Sequence, residues 1–166
     1  MKNASIDTKL FTDDGCYPNH PYLPAVIYRD CLDRSLNDLQ SLLHKNRWSN
    51  TWTGSVFEYH HFHSTTHETL AVIEGAATLK LGGPEGEKVS VKKGDVLILP
   101  AGVAHKLEDS TPDFQVMGAY PYGKSFDLKT GEKNEYEESK KQIREAPAPS
   151  ADPILGVNGP LMELWV

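Results

Sequence analysis

Cysteine is scarce: the 166 residues include two, Cys16 and Cys31, and neither belongs to a CxxC pair. Two thiols cannot build a disulfide scaffold, so a reducing compartment and a cytoplasmic localisation are expected. Long hydrophobic runs are missing too. None approaches the roughly 20 residues that span a bilayer, and the opening MKNASIDTKL lacks the apolar stretch of a secretory signal. Basic residues are in deficit, with 17 Lys and Arg against 23 Asp and Glu and a net charge of −6. A general nucleic-acid binder needs a Lys/Arg surface to displace counterions. Neither a membrane nor a nucleic acid is therefore expected as a partner. The glycines at 82, 83 and 86 lack the Lys-Ser/Thr ending of a phosphate-binding loop. No internal repeat is present.

What is there is a chain of ordinary single-domain size, 39% hydrophobic and 24% charged. Residues 1–47 read as an extended arm, with Pro18, Pro21 and Pro24 and one strand around AVIYRD, followed by a helix. Leucines at 32, 36, 39, 42 and 43 lie on one helical face, and Ser35 with Asp38, or Asp30 with Asp33, can satisfy the first amides. NRWSNTWTG is expected to break the helix. From Ser55 the pattern has period two, through SVFEYHHFH, ETLAVIEG, AATLKL, KVSVKKG, DVLILPAG and DFQVMGAYPYG. Short runs divided by Gly, Pro and Asp predict an antiparallel sandwich or barrel over 51–122. VLIL is apolar on both parities, so that strand should be covered on both faces. Residues 123–166 read as a charged loop or surface helix, a proline-rich connector, and LMELWV returning as an edge strand or docking on the barrel.

Histidine is where the sequence is concentrated. Four of its seven histidines and a glutamate stand between Tyr59 and Leu70, in YHHFHSTTHETL. Alternate strand residues share a face, so His61 and His63 point one way, with Phe57 and Tyr59, while His60 and Phe62 point the other. Glu68 shares the parity of Leu70 and Val72. A hairpin around 64–66 would bring it beside the two histidines, and a core-facing carboxylate is costly unless paired or ligated. His105, after the sharp turn at Pro100-Ala101-Gly102, supplies a further imidazole from a neighbouring strand end. A set of hydrogen-bonded core residues without metal is the plainer alternative.

Gly54, His61, His63, Glu68 and Gly75 resemble the first cupin motif, G-x5-H-x-H-x3,4-E-x6-G. Gly94, Pro100, Gly102 and His105 resemble the second, G-x5-P-x-G-x2-H-x3-N. Six residues rather than five separate Gly54 from His61, and Asp109 stands at the Asn position; neither change touches a ligand position. HHFHSTTHETLAV, GDVLILPAGVAHK, GAYPYGKSFD and DPILGVNGPLMELW further resemble the small single-domain bacterial cupins of the YjlB-like group, over roughly residues 48–165. The resemblance implies a mainly β fold, a double-stranded β-helix or jelly-roll barrel, here with an N-terminal surface helix. It implies one divalent metal ion per chain, held by His61, His63, Glu68 and His105. Mixed N/O ligation suits Fe, Mn, Ni, Co or Zn alike, and a set without cysteine argues against a closed structural zinc site. His67, Tyr59 and Tyr120 are expected near the site, His67 beside it or at the surface and facing away from the metal.

Two functional classes compete. One is a metal-dependent oxygenase, a dioxygenase in its commonest form, acting on a small organic acid or diketone. The other is non-oxidative: an isomerase, or a metal-dependent small-molecule binder without turnover. An isomerase needs a general base besides the ligands, and Tyr59 and His67 are the few candidates. Unpaired edge strands, the N-terminal arm and LMELWV favour a homodimer.

Overall fold

The computed structural model describes residues 5–166. Nine strands form two antiparallel sheets that face each other: β1 Ile6–Lys9, β2 Ala25–Tyr28, β3 Trp48–Gly54, β4 Glu68–Glu74, β5 Ala76–Leu81, β6 Glu87–Lys92, β7 Val96–Leu99, β8 His105–Ser110 and β9 Gln115–Pro121. The larger sheet has the order β1-β2-β7-β4-β9-β3 and the smaller β6-β5-β8. Helix α1, Leu36–Lys45, packs outside the larger sheet; α2, Tyr136–Glu145, and the short α3, Leu161–Leu164, follow the barrel.

Period-two patterning separates two cores. Ala25, Ile27, Leu70, Val72, Leu97 and Leu99 turn inward to meet Leu79, Leu81, Val89 and Val91 of the smaller sheet. Their neighbours Val26, Tyr28, Ala71, Val96 and Ile98 turn outward against Leu39 and Leu43 of α1 and Ile154 and Leu161 near the C-terminus. VLIL is thus buried on both faces, as its double apolar parity predicts. Helix α1 begins after Ser35, whose hydroxyl accepts the Asp38 amide at 3.2 Å; of the expected leucine stripe, Leu39 and Leu43 are buried against the sheet and Leu42 is partly buried there, while Leu32 precedes the helix and Leu36 is exposed.

The structure departs from the sequence reading in four places. NRWSNTWTG does end the helix, but most of it is strand β3, paired with β9. Its buried Trp48 and a register shift between Ser49 and Trp52, with Asn50 at φ +59°, hide the alternation. The histidine stretch, read as a strand, is irregular: only His61 and Phe62 form bridges, to His105 and Lys129. No hairpin joins it to β4, whose partners are β7 and β9. The tail LMELWV takes the docking alternative, as a helix rather than a strand, with the Trp165 indole donating to the Pro24 carbonyl at 2.8 Å. The larger sheet also draws on β1, a second strand within the arm.

The outer core closes on one carboxylate. Asp152 is fully buried and accepts the Ile154, Leu155 and Leu161 amides at 2.8, 3.0 and 3.2 Å, besides the Tyr28 hydroxyl. Burial and the Asp152 carboxylate together push the Tyr28 hydroxyl pKa up, keeping it a donor. Asp152→Ala would leave these donors without a partner, and an orphaned buried donor costs about 1–3 kcal/mol. Urea unfolding of this variant is expected to show a loss of at least about 3 kcal/mol; a loss under about 1 kcal/mol would mean that the C-terminal segment contributes little.

Candidate metal centre

Three histidines reach the centre from two backbone segments. His61 and His105 are joined by reciprocal backbone hydrogen bonds of 3.2 and 2.9 Å, which set their rings 4.1 Å apart. His63 follows two residues later, its ring 6.0 Å from that of His61 and 5.7 Å from that of His105. Each ring has its Nδ1 against a backbone carbonyl: His61 on Tyr59 at 2.9 Å, His105 on Val103 at 3.0 Å, and His63 on Asp127. A carbonyl only accepts, so Nδ1 carries the proton and each Nε2 is free to ligate. One ligand atom from each of the three lies within 4.8 Å of the others.

Glu68 opens β4 opposite Leu99 and points inward, as its shared parity with Leu70 and Val72 predicts. It is 3% exposed. Its Oε2 accepts the Tyr120 hydroxyl at 2.8 Å, and that hydroxyl accepts the Trp52 indole N–H at 2.8 Å. Its Oε1 has no hydrogen-bond partner and lies 3.4 and 3.3 Å from Nε2 of His63 and His105. Burial by itself would raise the Glu68 carboxyl pKa, but the His63 charge and the contacts of His105 and His63 outweigh it and hold the group below the usual carboxylate range. For His63 burial likewise opposes the charged form, and Glu68 overcomes it, so the pKa rises. His61 is lowered to about 3, first by burial and then by His105. The buried Oε1 of Glu68 thus faces Nε2 of both His63 and His105. A divalent cation fits this donor set: it would supply the missing partner of Oε1 and take the three Nε2 lone pairs.

The other expected neighbours divide. Tyr120 is buried and orients Glu68. Burial, then the Glu68 charge, raises its pKa, so it stays a phenol. Tyr59 and Phe57 are not interior barrel residues: they are 45% and 49% exposed and stack on one another at the rim, rings 5.0 Å apart. His60 faces away, toward Tyr17. His67 also faces away, but it is buried rather than superficial. Its Nδ1 accepts the Ala101 amide at 2.8 Å and its ring packs 4.8 Å from Trp165, while burial lowers its pKa to about 3.

Sequence reasoning did not single out Trp52, Phe126 or Asp127. Trp52 lies across Gly118, where a Cβ would come within 2.4 Å of the indole. Asp127 sits in the polar stretch read as solvated. Its carboxylate accepts the Ser64 and Thr65 amides at 2.8 and 3.0 Å, and its carbonyl holds His63. Local signals for such a role are weak, since an Asp in a polar loop is ordinary. The four inward groups open into a cavity of about 380 Å³, walled by Trp52, Val56, Phe57, Leu70, Tyr120 and Phe126 and edged by Asn50, Thr51 and Ser55.

Sequence comparison identifies the family. The family model of the cupin domain matches residues 49–116. The uncharacterised protein YjlB of Bacillus subtilis (strain 168) is 47% identical over 159 residues, 96% of either chain. Among solved structures, a protein with a double-stranded β-helix domain from Klebsiella pneumoniae is 19% identical over 78% of this chain and 84% of its own, with a TM-score of 0.40. An acireductone dioxygenase from Bacillus anthracis, with a cadmium ion in its active centre, is 16% identical over 54% of this chain and 59% of its own, with a TM-score of 0.38.

The tether from Trp52 through Tyr120 to Glu68 yields a directional expectation. Removing an outer hydrogen bond to a ligand typically weakens metal binding about 10–100-fold. Titration with Co(II) should show a loss of that size in Tyr120→Phe and near wild-type affinity in His67→Ala. The reverse order would place the ligand register one residue out at Glu68.

Proposed function

The chain belongs to the cupin superfamily as a relative of YjlB, and from that premise we propose that it is a metal-dependent oxygenase whose ion is held by His61, His63, Glu68 and His105. The observation that carries this reading is the buried, unpartnered Oε1 of Glu68, set beside Nε2 atoms whose rings are already oriented through Nδ1. A cation of the Fe(II) class held by these four residues would supply Lewis-acid and redox chemistry toward a chelating substrate and O2. The protein's own residues do the rest. Backbone carbonyls keep the three imidazoles in the ligating tautomer. Tyr120 fixes one carboxylate oxygen and so aims the other. Leu70, Val56 and the aromatic walls exclude water from the cavity.

The lining favours oxidation over isomerisation. An isomerase moves a proton with a group that is not a ligand. Apart from the four ligand residues, the cavity is lined by one titratable side chain, Tyr120, already donating to Glu68 and held neutral. Neither expected base serves: His67 is turned into the opposite face, and Tyr59 stands outside the lining. A binder without turnover would use the same cavity.

Elemental analysis is expected to find one divalent metal per chain in the wild type and little in His63→Ala or His105→Ala; full occupancy in both variants would remove the assignment. Protein loaded anaerobically with Fe(II) and given a panel of diketones, keto acids and catechols should consume O2 only when substrate and His61 are both present. Tight binding without O2 uptake would identify a binder, and conversion under nitrogen an isomerase.

We further propose a homodimer formed through sheet edges. Among the described residues β1 pairs with β2 alone, which leaves its other edge without a strand partner there, and Ile6 and Leu10 on this arm are exposed. Light scattering at micromolar concentration should give twice the monomer mass, and a clean monomer would overturn this.

A further inference from the structure

The cavity mouth is built for a ring. On one lip Phe57 stacks on Tyr59 with an interplanar angle of 11°; on the other, Phe126 stacks on Tyr120 at 23°. Phe57 and Phe126 both line the cavity, yet they are 49% and 46% exposed. Such half-exposed aromatics beside a concave apolar wall mark a place where a ligand completes the packing. Trp52 adds a third aromatic wall, and it can lie flat only because position 118 has no side chain.

Charge restricts the ligand as strongly as shape does. Among the described residues no lysine or arginine lines the cavity, and the acid that does is Glu68. With neutral imidazoles, a divalent ion on this set leaves one net positive charge. One monoanionic chelating head neutralises it. A second anionic group would lie against apolar walls with no cation to receive it, which is costly.

We propose, on the basis of the metal reading above, that the substrate is a flat ring or conjugated system carrying a single chelating head and no further charge, and that Phe57, Trp52 and Phe126 select the ring. Small dicarboxylic acids, keto acids with a distal carboxylate, and phosphorylated compounds are thereby rejected.

The test uses Zn(II)-loaded protein, so that binding is read without turnover. Calorimetry compares benzoylacetone, acetylacetone and para-carboxybenzoylacetone. Benzoylacetone should bind about tenfold tighter than acetylacetone, since contacts with two or more aromatic side chains reach that size. The added carboxylate should cost at least about tenfold. Phe57→Ala and Phe126→Ala should each shrink the ring advantage while retaining zinc by elemental analysis. Ser55→Lys, which places a cation at the cavity edge, should recover binding of the carboxylated compound. Equal or better binding of that compound by the wild type, no gain from the phenyl ring, or a ring advantage untouched in both Phe variants would each overturn the proposal. Failure of the metal reading has a separate signature, absence of zinc uptake. In that event the same selection is read on the metal-free protein, where beta-naphthol must quench tryptophan fluorescence at lower concentration than its carboxylated analogue; the opposite order would overturn the proposal there too.

Discussion

A carboxylate on the inner face of a sheet is the constraint around which this molecule is arranged. Glu68 takes a position that the strand pattern reserves for apolar side chains, between a buried histidine and Leu70. An isolated charge there would be untenable. Its stabilisation comes from two directions at once. Tyr120 donates to one oxygen from the adjacent strand β9, and His63 and His105 approach the other from the opposite side of the barrel. The Tyr120 hydroxyl is itself occupied by Trp52, so β3, β4 and β9 are linked side by side through polar side chains as well as through their ladders.

The imidazoles depend on backbone placed far away in sequence. His61 is tied to the start of β8, and His63 to Asp127, which arrives after the whole barrel has been traced. Asp127 acts twice: its carbonyl orients an imidazole, and its side chain caps the turn at Ser64 and Thr65 that leads into β4. Hydrogen bonds of Ser64 to the Asp127 carboxylate and to Gln142 of α2, the latter at 2.6 Å, couple α2 to the same turn. Burial opposes the Asp127 charge, and the hydrogen bonds from Ser64 and Thr65 more than offset this, holding its carboxyl below the ordinary range. The segment after the barrel is therefore part of the site's frame.

The outer face of the larger sheet serves stability without touching the chemistry. Burying side chains such as Leu39, Leu43 and Ile98 contributes roughly 1.5–3 kcal/mol each, and Asp152 ties Tyr28 to the C-terminal segment beneath α1. His67 belongs to this face. It shares a sequence neighbourhood with His63 and Glu68 and a structural neighbourhood with Trp165. One residue of offset in a strand is enough to exchange one role for the other.

The sequence by itself determined the barrel and which residues are candidates for the buried polar centre. His61 and His63 reach the centre from irregular backbone, and the matched motif spacing rather than parity marks them. Glu68, in phase with Leu70 and Val72, carries its meaning in spacing, because strand parity is a local property of the chain. The leucine stripe of α1, the Ser35 cap and the doubly apolar VLIL were legible for the same reason. Tertiary structure alone decided the rest. The turn at 64–66 reads as a hairpin, yet β4 pairs with β7 and β9, since long-range strand partners compete successfully with a local one. Trp52 became the anchor of Tyr120 because residue 118, far along the chain, has no Cβ. Asp127 became a support of His63 because a loop that looks solvated folds back over the mouth. Periodicity reports which side of its own strand a residue faces; which distant strand lies beside it is decided by the tertiary fold, and Glu68 receives its hydrogen bond from Tyr120 on the neighbouring β9.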